Sequence, residues 1–188
     1  FNAVKSMGRP TITAIIEERT NNGDFHSMQD FITRMAGVIN KRTVEHLILA
    51  GAFDTFGNTR RGMMNVYERM IDSAVKQNKD AISGQMSLFD FVSEEDKQSL
   101  EMKVPDIQEF EKEDLLEREK EVLGVYVTGH PLDEYTGMWE KHISARSTDF
   151  LIDEETGQAK LMNGSKQTIG GLISNIKVIT TGSGQQMA

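Results

Sequence analysis

Apolar residues recur along the first 78 positions in short bursts at helical spacing, each closed by a glycine or a polar cluster. Ile12, Ile15 and Ile16 stand three and four apart behind Pro10, which predicts a short helix over 11–20 entered through Ser6-Met7-Gly8-Arg9-Pro10. A proline is tolerated there because the first turn of a helix has no use for its N–H. Gly23-Asp24 breaks this helix, and Met28, Phe31, Ile32 and Met35 form a second stripe that stops before Gly37. Asn40 can cap a third helix carrying Val44, Leu47, Ile48 and Leu49, with Gly51 placed to end it. From Asn58 or Thr59, the set Met63, Val66, Tyr67, Met70, Ile71, Ala74 and Val75 predicts a longer amphipathic helix that fades into Gln77-Asn78-Lys79-Asp80. Residues 1–78 therefore read as helix, tight turn, helix, twice over, with a long helix after them.

Periodicity is lost over 79–108, where polar residues mix with Gly84 and Pro105, and a linker of low order is expected. One apolar island interrupts it, Gln85-Met86-Ser87-Leu88-Phe89-Asp90-Phe91. Residues 109–123 predict a charged helix whose Leu115, Leu116, Val122 and Leu123 are too few for a full buried face, so a mostly solvated helix and its connection fill 109–165. Val125-Tyr126-Val127-Thr128 predicts a strand ended by Gly129-His130-Pro131. Within 168–181, Ile169, Leu172, Ile173, Ile176, Val178 and Ile179 predict β structure, and Gly182-Ser183-Gly184 a turn into a further strand from Gln185. The expected fold class is mostly α with a truncated β start over 166–188, and the chain, running from Phe1 to Ala188, is expected to be a piece of something longer.

Composition narrows the chemistry. At 188 residues with 38% hydrophobic and 27% charged side chains, the chain suits a globular protein with some linker. It holds no cysteine, which excludes disulfides, thiolate metal sites and cysteine nucleophiles and favours a reducing, cytoplasmic location. No apolar run approaches the ~20 residues of a membrane span, so no membrane partner is expected. The net charge of −8 is unevenly spread. Residues 94–121 carry 12 acidic against 5 basic side chains, whereas residues 1–70 carry 9 basic against 7 acidic. One acidic segment thus masks a slightly basic N-terminal part, in which DNA binding stays open.

No catalytic constellation or metal site is expected within these residues. His26, His46, His130 and His142 lack the i, i+4 spacing of helical metal ligands, and no phosphate-binding glycine loop or nucleophile motif occurs. The acidic run 109–121 reads as a solvated helix face.

Two features carry binding chemistry. Ser6-Met7-Gly8-Arg9-Pro10 opening onto a helix resembles the hairpin of a helix-hairpin-helix motif, in which backbone N–H groups at a helix N-terminus hold a DNA phosphate without reading sequence. Gly8 is expected where the backbone must turn sharply and approach the phosphate, and Lys5, Arg9, Lys41 and Arg42 lie near the two turns. An ordinary packing turn explains the same residues equally well. The second feature, Gln85-Met86-Ser87-Leu88-Phe89, looks like the pentapeptide by which bacterial proteins bind the replicative sliding clamp. Its amide can bond a pocket rim while Leu88 and Phe89 enter an apolar cleft, although the same residues could pack back on the fold.

Taken in order, Ala3-Val4-Lys5 with its turn, Asn40-Lys41-Arg42-Thr43-Val44-Glu45, Ala50-Gly51-Ala52-Phe53-Asp54 and Gly84-Gln85-Met86-Ser87-Leu88-Phe89 closely resemble the α subunits of bacterial DNA polymerase III. The block from Glu119-Lys120-Glu121 to Gly129-His130-Pro131-Leu132 is similar to that family's approach to its oligonucleotide-binding (OB) barrel, and Ile169-Gly170-Gly171-Leu172-Ile173 through Gln186 to its opening strands. The resemblance implies a fragment of a DNA-directed DNA polymerase. Its parts would be a tandem helix-hairpin-helix unit gripping duplex DNA through Lys5, Ser6, Met7, Gly8, Arg9, Lys41 and Arg42, a clamp-binding loop at 85–89, and the start of an OB fold. It implies the β sliding clamp, duplex DNA and other replisome subunits as partners. Catalytic aspartates and Mg²⁺ would belong to a palm lying before Phe1, so this piece would hold and tether rather than catalyse. Ser6 and Pro10 stand where the family commonly has glycine. A non-enzymatic repair or recombination scaffold built from the same modules, and a protein-interaction module that binds no DNA, remain alternatives.

Overall fold

The computed structural model describes residues 3–82, 102–154, 157–173, 175–182 and 184–187. Gln85-Met86-Ser87-Leu88-Phe89 lies outside the described residues. The chain divides into two compact units, Phe1–Gly129 and His130–Ala188, a boundary that falls inside the stretch 109–165.

The first unit is helical: α1 (Arg9–Asn22), α2 (Met28–Arg34), α3 (Lys41–Leu49), α4 (Arg60–Ile82) and α5 (Lys112–Leu123). Ser27 and Asn40 cap α2 and α3 by accepting from the N–H groups of Asp30 and Thr43 at 3.0 and 2.9 Å. Each cap satisfies a backbone donor that the first helical turn leaves open. The predicted stripes converge on one core, in which Met28, Ile32, Met35, Val44, Leu47, Ile48, Met63 and Met70 are almost wholly buried. α1 contributes least, since Ile15 is buried while Ile16 is 42% exposed. Arg34 pins the turn between α1 and α2: its guanidinium donates to Glu18 at 2.9 Å and to the Gly23 carbonyl at 3.0 Å, and lies 4.3 Å from the Phe25 ring centre.

Residues 102–111, placed mostly in the linker by their polarity, pack on this unit. Met102 and Val104 are partly buried against the core. The Thr59 hydroxyl donates to the Ile107 carbonyl at 3.1 Å, and the Glu109 carboxylate accepts from the Arg60 and Arg61 N–H groups at 2.6 and 2.9 Å. An anion at the N-terminus of α4 meets both its open donors and its dipole.

The expectation of a mostly solvated 109–123 helix is corrected at one face. Leu116, Val122 and Glu119 of α5 are buried, and Glu119 is 0% exposed. Nor is 125–128 a strand. Val125 and Val127 are exposed, and the N–H groups of Val127 and Thr128 donate to Glu119 at 2.8 and 2.9 Å. A side-chain carboxylate supplies the acceptors that a neighbouring strand would have provided.

The second unit holds a 3₁₀ turn (Asp133–Tyr135), α6 (Thr136–His142) and a further 3₁₀ turn (Ser147–Phe150). Ser144 and Ala145 donate to the Thr168 carbonyl at 3.0 and 3.4 Å, setting these two segments side by side. Gly170 lies against the indole of Trp139, so close that a Cβ there would sit 2.9 Å from a ring carbon. The β structure expected over 168–181 is reduced to β1 (Ile179–Thr180) paired antiparallel with β2 (Gln186–Met187), in the register Ile179↔Met187 and Thr180↔Gln186. Ile169, Ile173, Ile176 and Val178 are exposed. β-favouring residues do not make a sheet without strands opposite them.

Candidate nucleic-acid interface

The turn before α1 is built from both sides. Val4 is buried, the Lys5 N–H donates to the Val122 carbonyl of α5 at 2.9 Å, and the Lys5 carbonyl accepts from His46 Nδ1 of α3 at 2.8 Å. Because the acceptor is a carbonyl, the imidazole carries its proton on Nδ1. With Lys5 held at both backbone groups, the chain reverses through Ser6 at φ 65°, the one non-glycine residue in the left-handed region among the described residues. Met7 is half-buried against the core, and Lys5, Ser6, Gly8 and Arg9 are exposed.

Gly8 precedes α1 at φ −75° and ψ 151°, with no side chain capping the helix. This corrects the expectation that the sharp turn rests on Gly8, because the conformational demand falls on Ser6. A Cβ on Gly8 would meet Pro10 only at an ordinary 3.6 Å. What glycine leaves here is open space above the helix end. Pro10 has no N–H and no side-chain cap intervenes, so the Arg9 and Thr11 N–H groups are available to an outside acceptor.

A second turn precedes α3. Met35 ends α2, its carbonyl accepts from the N–H groups of Val38 and Ile39 at 3.0 and 3.2 Å, and the chain turns through Gly37 at φ 92°. Val38 is 49% exposed at the tip. Asn78 of α4 donates to the Ala36 carbonyl at 3.3 Å and braces the turn from behind. Asn40 spends its side chain on Thr43, leaving the Lys41 and Arg42 N–H groups at the helix end. Arg42 is exposed. Lys41 is engaged within the chain: its ammonium lies 3.0 Å from Asp72 and 3.3 Å from Glu68 of α4. The Asp72 hydrogen bond, reinforced by Glu68 and only partly opposed by desolvation, holds the Lys41 pKa above its ordinary value.

Residues 1–63 match the family described as the helix-hairpin-helix motif. Similarity to curated proteins extends further. The chain is 35% identical to DNA polymerase III subunit alpha of Chlamydia pneumoniae over 171 residues, covering 83% of this chain and 14% of that protein. It is 32% identical to the same subunit of Vibrio cholerae over 188 residues, 100% of this chain and 15% of the relative. For Escherichia coli K12 the figures are 30% over 188 residues, with 100% and 16% covered. The chain is related along its whole length to bacterial DNA polymerase III subunit alpha.

The chain thus spans 14 to 16% of the length of these three subunit alpha relatives. Both hairpin turns lie inside the helix-hairpin-helix match. Three residues at or facing the second turn were not singled out from sequence. Gly37 reads there only as a helix breaker, though its place between two stripes is the signal of a turn. Glu68 and Asp72 are four apart on one face of α4, which a helical count could have shown, but their facing Lys41 depends on how α3 and α4 pack.

Proposed function

We propose that this chain is the part of a replicative DNA-directed DNA polymerase that holds duplex DNA by its backbone and fastens the enzyme to the sliding clamp. The observation that carries the first half is the turn at Lys5–Arg9. It is braced at Val122 and His46, left uncapped at α1, and flanked by two exposed cations. N–H groups at a helix start, beside Lys5 and Arg9, suit a phosphate oxygen and ignore base identity. The hairpin before α3, with Arg42, supports a second contact of the same kind.

The clamp half rests on Gln85-Met86-Ser87-Leu88-Phe89, whose amide and paired apolar side chains suit a rim-and-cleft pocket. Two weak contacts on one molecule multiply through effective concentration, which keeps a polymerase on its template. On the same reading, residues 166–188 would be the opening of an OB barrel. Nucleotide addition and its Mg²⁺ belong, on this reading, to the palm of the full polymerase. Such a protein works in the cytoplasm alongside other replisome subunits.

The test is fluorescence anisotropy of labelled duplexes of unrelated sequence with the chain, over a salt series. Binding should be indifferent to sequence, and log K should fall linearly with log salt. Lys5→Ala with Arg9→Ala should lower the slope by about 0.9 for each phosphate no longer neutralised. Absence of salt-linked duplex binding would sink the proposal.

A further inference from the structure

The two hairpins differ in the state of their cations. Lys5 and Arg9 at the first are exposed, with no ion pair among the described residues. At the second, Lys41 is the first residue of α3, from which its long side chain could reach a phosphate held by the helix end, yet its ammonium is engaged by two carboxylates of α4. Asp72 Oδ2 is at 3.0 Å and Glu68 Oε2 at 3.3 Å, while the other Glu68 oxygen accepts from the Tyr67 hydroxyl at 3.3 Å. Spaced i, i+4, the two acids occupy one face of α4 and both hold the same ammonium, as a phosphate carrying more than one anionic oxygen could. The arrangement is not buried: the side chains of Lys41, Glu68 and Asp72 are 44%, 58% and 65% exposed. Exposed ion pairs of this type are weak and are screened by salt, so a competing anion can displace them.

We infer that Glu68 and Asp72 are an internal competitor for DNA phosphate at the second hairpin, holding Lys41 on α4 until a backbone phosphate displaces them. The inference rests on the duplex-binding reading above and adds to it a ranking. The first hairpin is the ready contact, and the second is attenuated by the protein's own carboxylates. For a polymerase that must translocate, a grip that is partly self-satisfied releases its phosphate at lower cost, because the ammonium is never left without a partner.

The experiment compares duplex affinity and its salt slope for the chain, Glu68→Gln/Asp72→Asn, Lys41→Ala, and the triple variant carrying all three changes. Neutralising two carboxylates near DNA strengthens binding through general electrostatics, so the Lys41→Ala background isolates what passes through Lys41. The expected result is a gain of about fivefold for Glu68→Gln/Asp72→Asn near ~0.1 M salt. The salt slope should steepen by about 0.9. In the Lys41→Ala background the gain should shrink to less than about twofold. Equal gains in both backgrounds, or no gain, overturn the inference while leaving duplex binding itself in place. No salt-linked binding by the unaltered chain overturns the duplex reading and this inference with it. Far-ultraviolet dichroism and thermal midpoints of all four proteins check that each is folded.

Discussion

Arg60 and Glu119, fifty-nine positions apart, meet at 3.5 Å with their side chains only 3% and 0% exposed. Neither is left with an unpaired charge. Arg60 also donates to Asp54 at 3.0 and 2.6 Å and to the Leu49 carbonyl at 3.0 Å, and Glu119 Oε2 accepts from the Val127 and Thr128 N–H groups and the Thr128 hydroxyl. One ion pair therefore joins the start of α4, the end of α3, α5 and the backbone of residues 127–128. Since α5 also receives the Lys5 N–H through Val122, this pair helps seat the first hairpin.

Removing one member of such a pair strands the other. Glu119→Ala is expected to cost about 3–5 kcal/mol, and Glu119→Gln about 2 kcal/mol because one amide cannot serve all the donors. Burial pushes the Glu119 carboxyl up, but the N–H groups of Thr128 and Val127 and the Arg60 charge outweigh it, and its pKa lies below the ordinary 4.5. A lowered carboxylate pKa contributes stability above the unfolded value, and that contribution is lost as pH falls through the folded one. Urea denaturation between pH 7 and 3 should show a shallower acid loss for Glu119→Gln than for the unaltered chain. Parallel pH profiles would refute the assignment.

Gly62 lies in the first turn of α4, where a Cβ would stand 2.6 Å from the Pro105 carbonyl oxygen and 3.1 Å from Val104. Alanine is the better helix former by about 1 kcal/mol, so an isolated helix would gain from Gly62→Ala. Here the collision with docked backbone should reverse the sign, with a net loss of about 1–3 kcal/mol. A raised denaturation midpoint would show that residues 104–105 do not hold this position.

Ser6 occupies the left-handed region at φ 65°, which costs an L-residue roughly 1–2 kcal/mol. Ser6→Gly should stabilise the chain by up to about 1 kcal/mol after the extra entropy of the unfolded glycine is subtracted. Ser6→Val should destabilise it, because a β-branched side chain fits that region worst. Equal midpoints for the three proteins in chemical denaturation would mean that the turn relaxes.

The peptide at 85–89 has a direct assay. Burying Met86, Leu88 and Phe89 is worth about 1.5–3 kcal/mol each. Ordering costs bring the expected affinity to the micromolar range, about −8 kcal/mol. Calorimetry of the chain with a bacterial sliding clamp should show such binding, and changing Gln85, Leu88 and Phe89 together to alanine should abolish it. Absent binding, or undiminished binding by the triple variant, would make these residues linker or packing on the fold rather than a clamp anchor.

Periodicity and capping were legible in the residues. The stripes ending in Met35, Leu49 and Val75, the Asn40 cap and the turn before α1 follow from rules acting within a few positions, where chain connectivity already supplies the contact. The candidate hairpin was legible for the same reason, as a short string of turn residues opening on a helix. Contacts between distant positions were not. Composition marks Glu109 and Glu119 as solvated charge, yet one caps α4 and the other is buried against Arg60. Val125 to Thr128 carry strand propensity, but a strand needs a ladder, and their N–H groups found a carboxylate first. Ser6 took the strained turn expected of Gly8, because the bonds of Lys5 to Val122 and His46 set where the chain reverses. By itself the sequence determined the helices of the first unit and the turns that, on the proposed reading, face a phosphate. Only tertiary packing decided which charges are free to do so, because a charge is spent or available according to what folds against it.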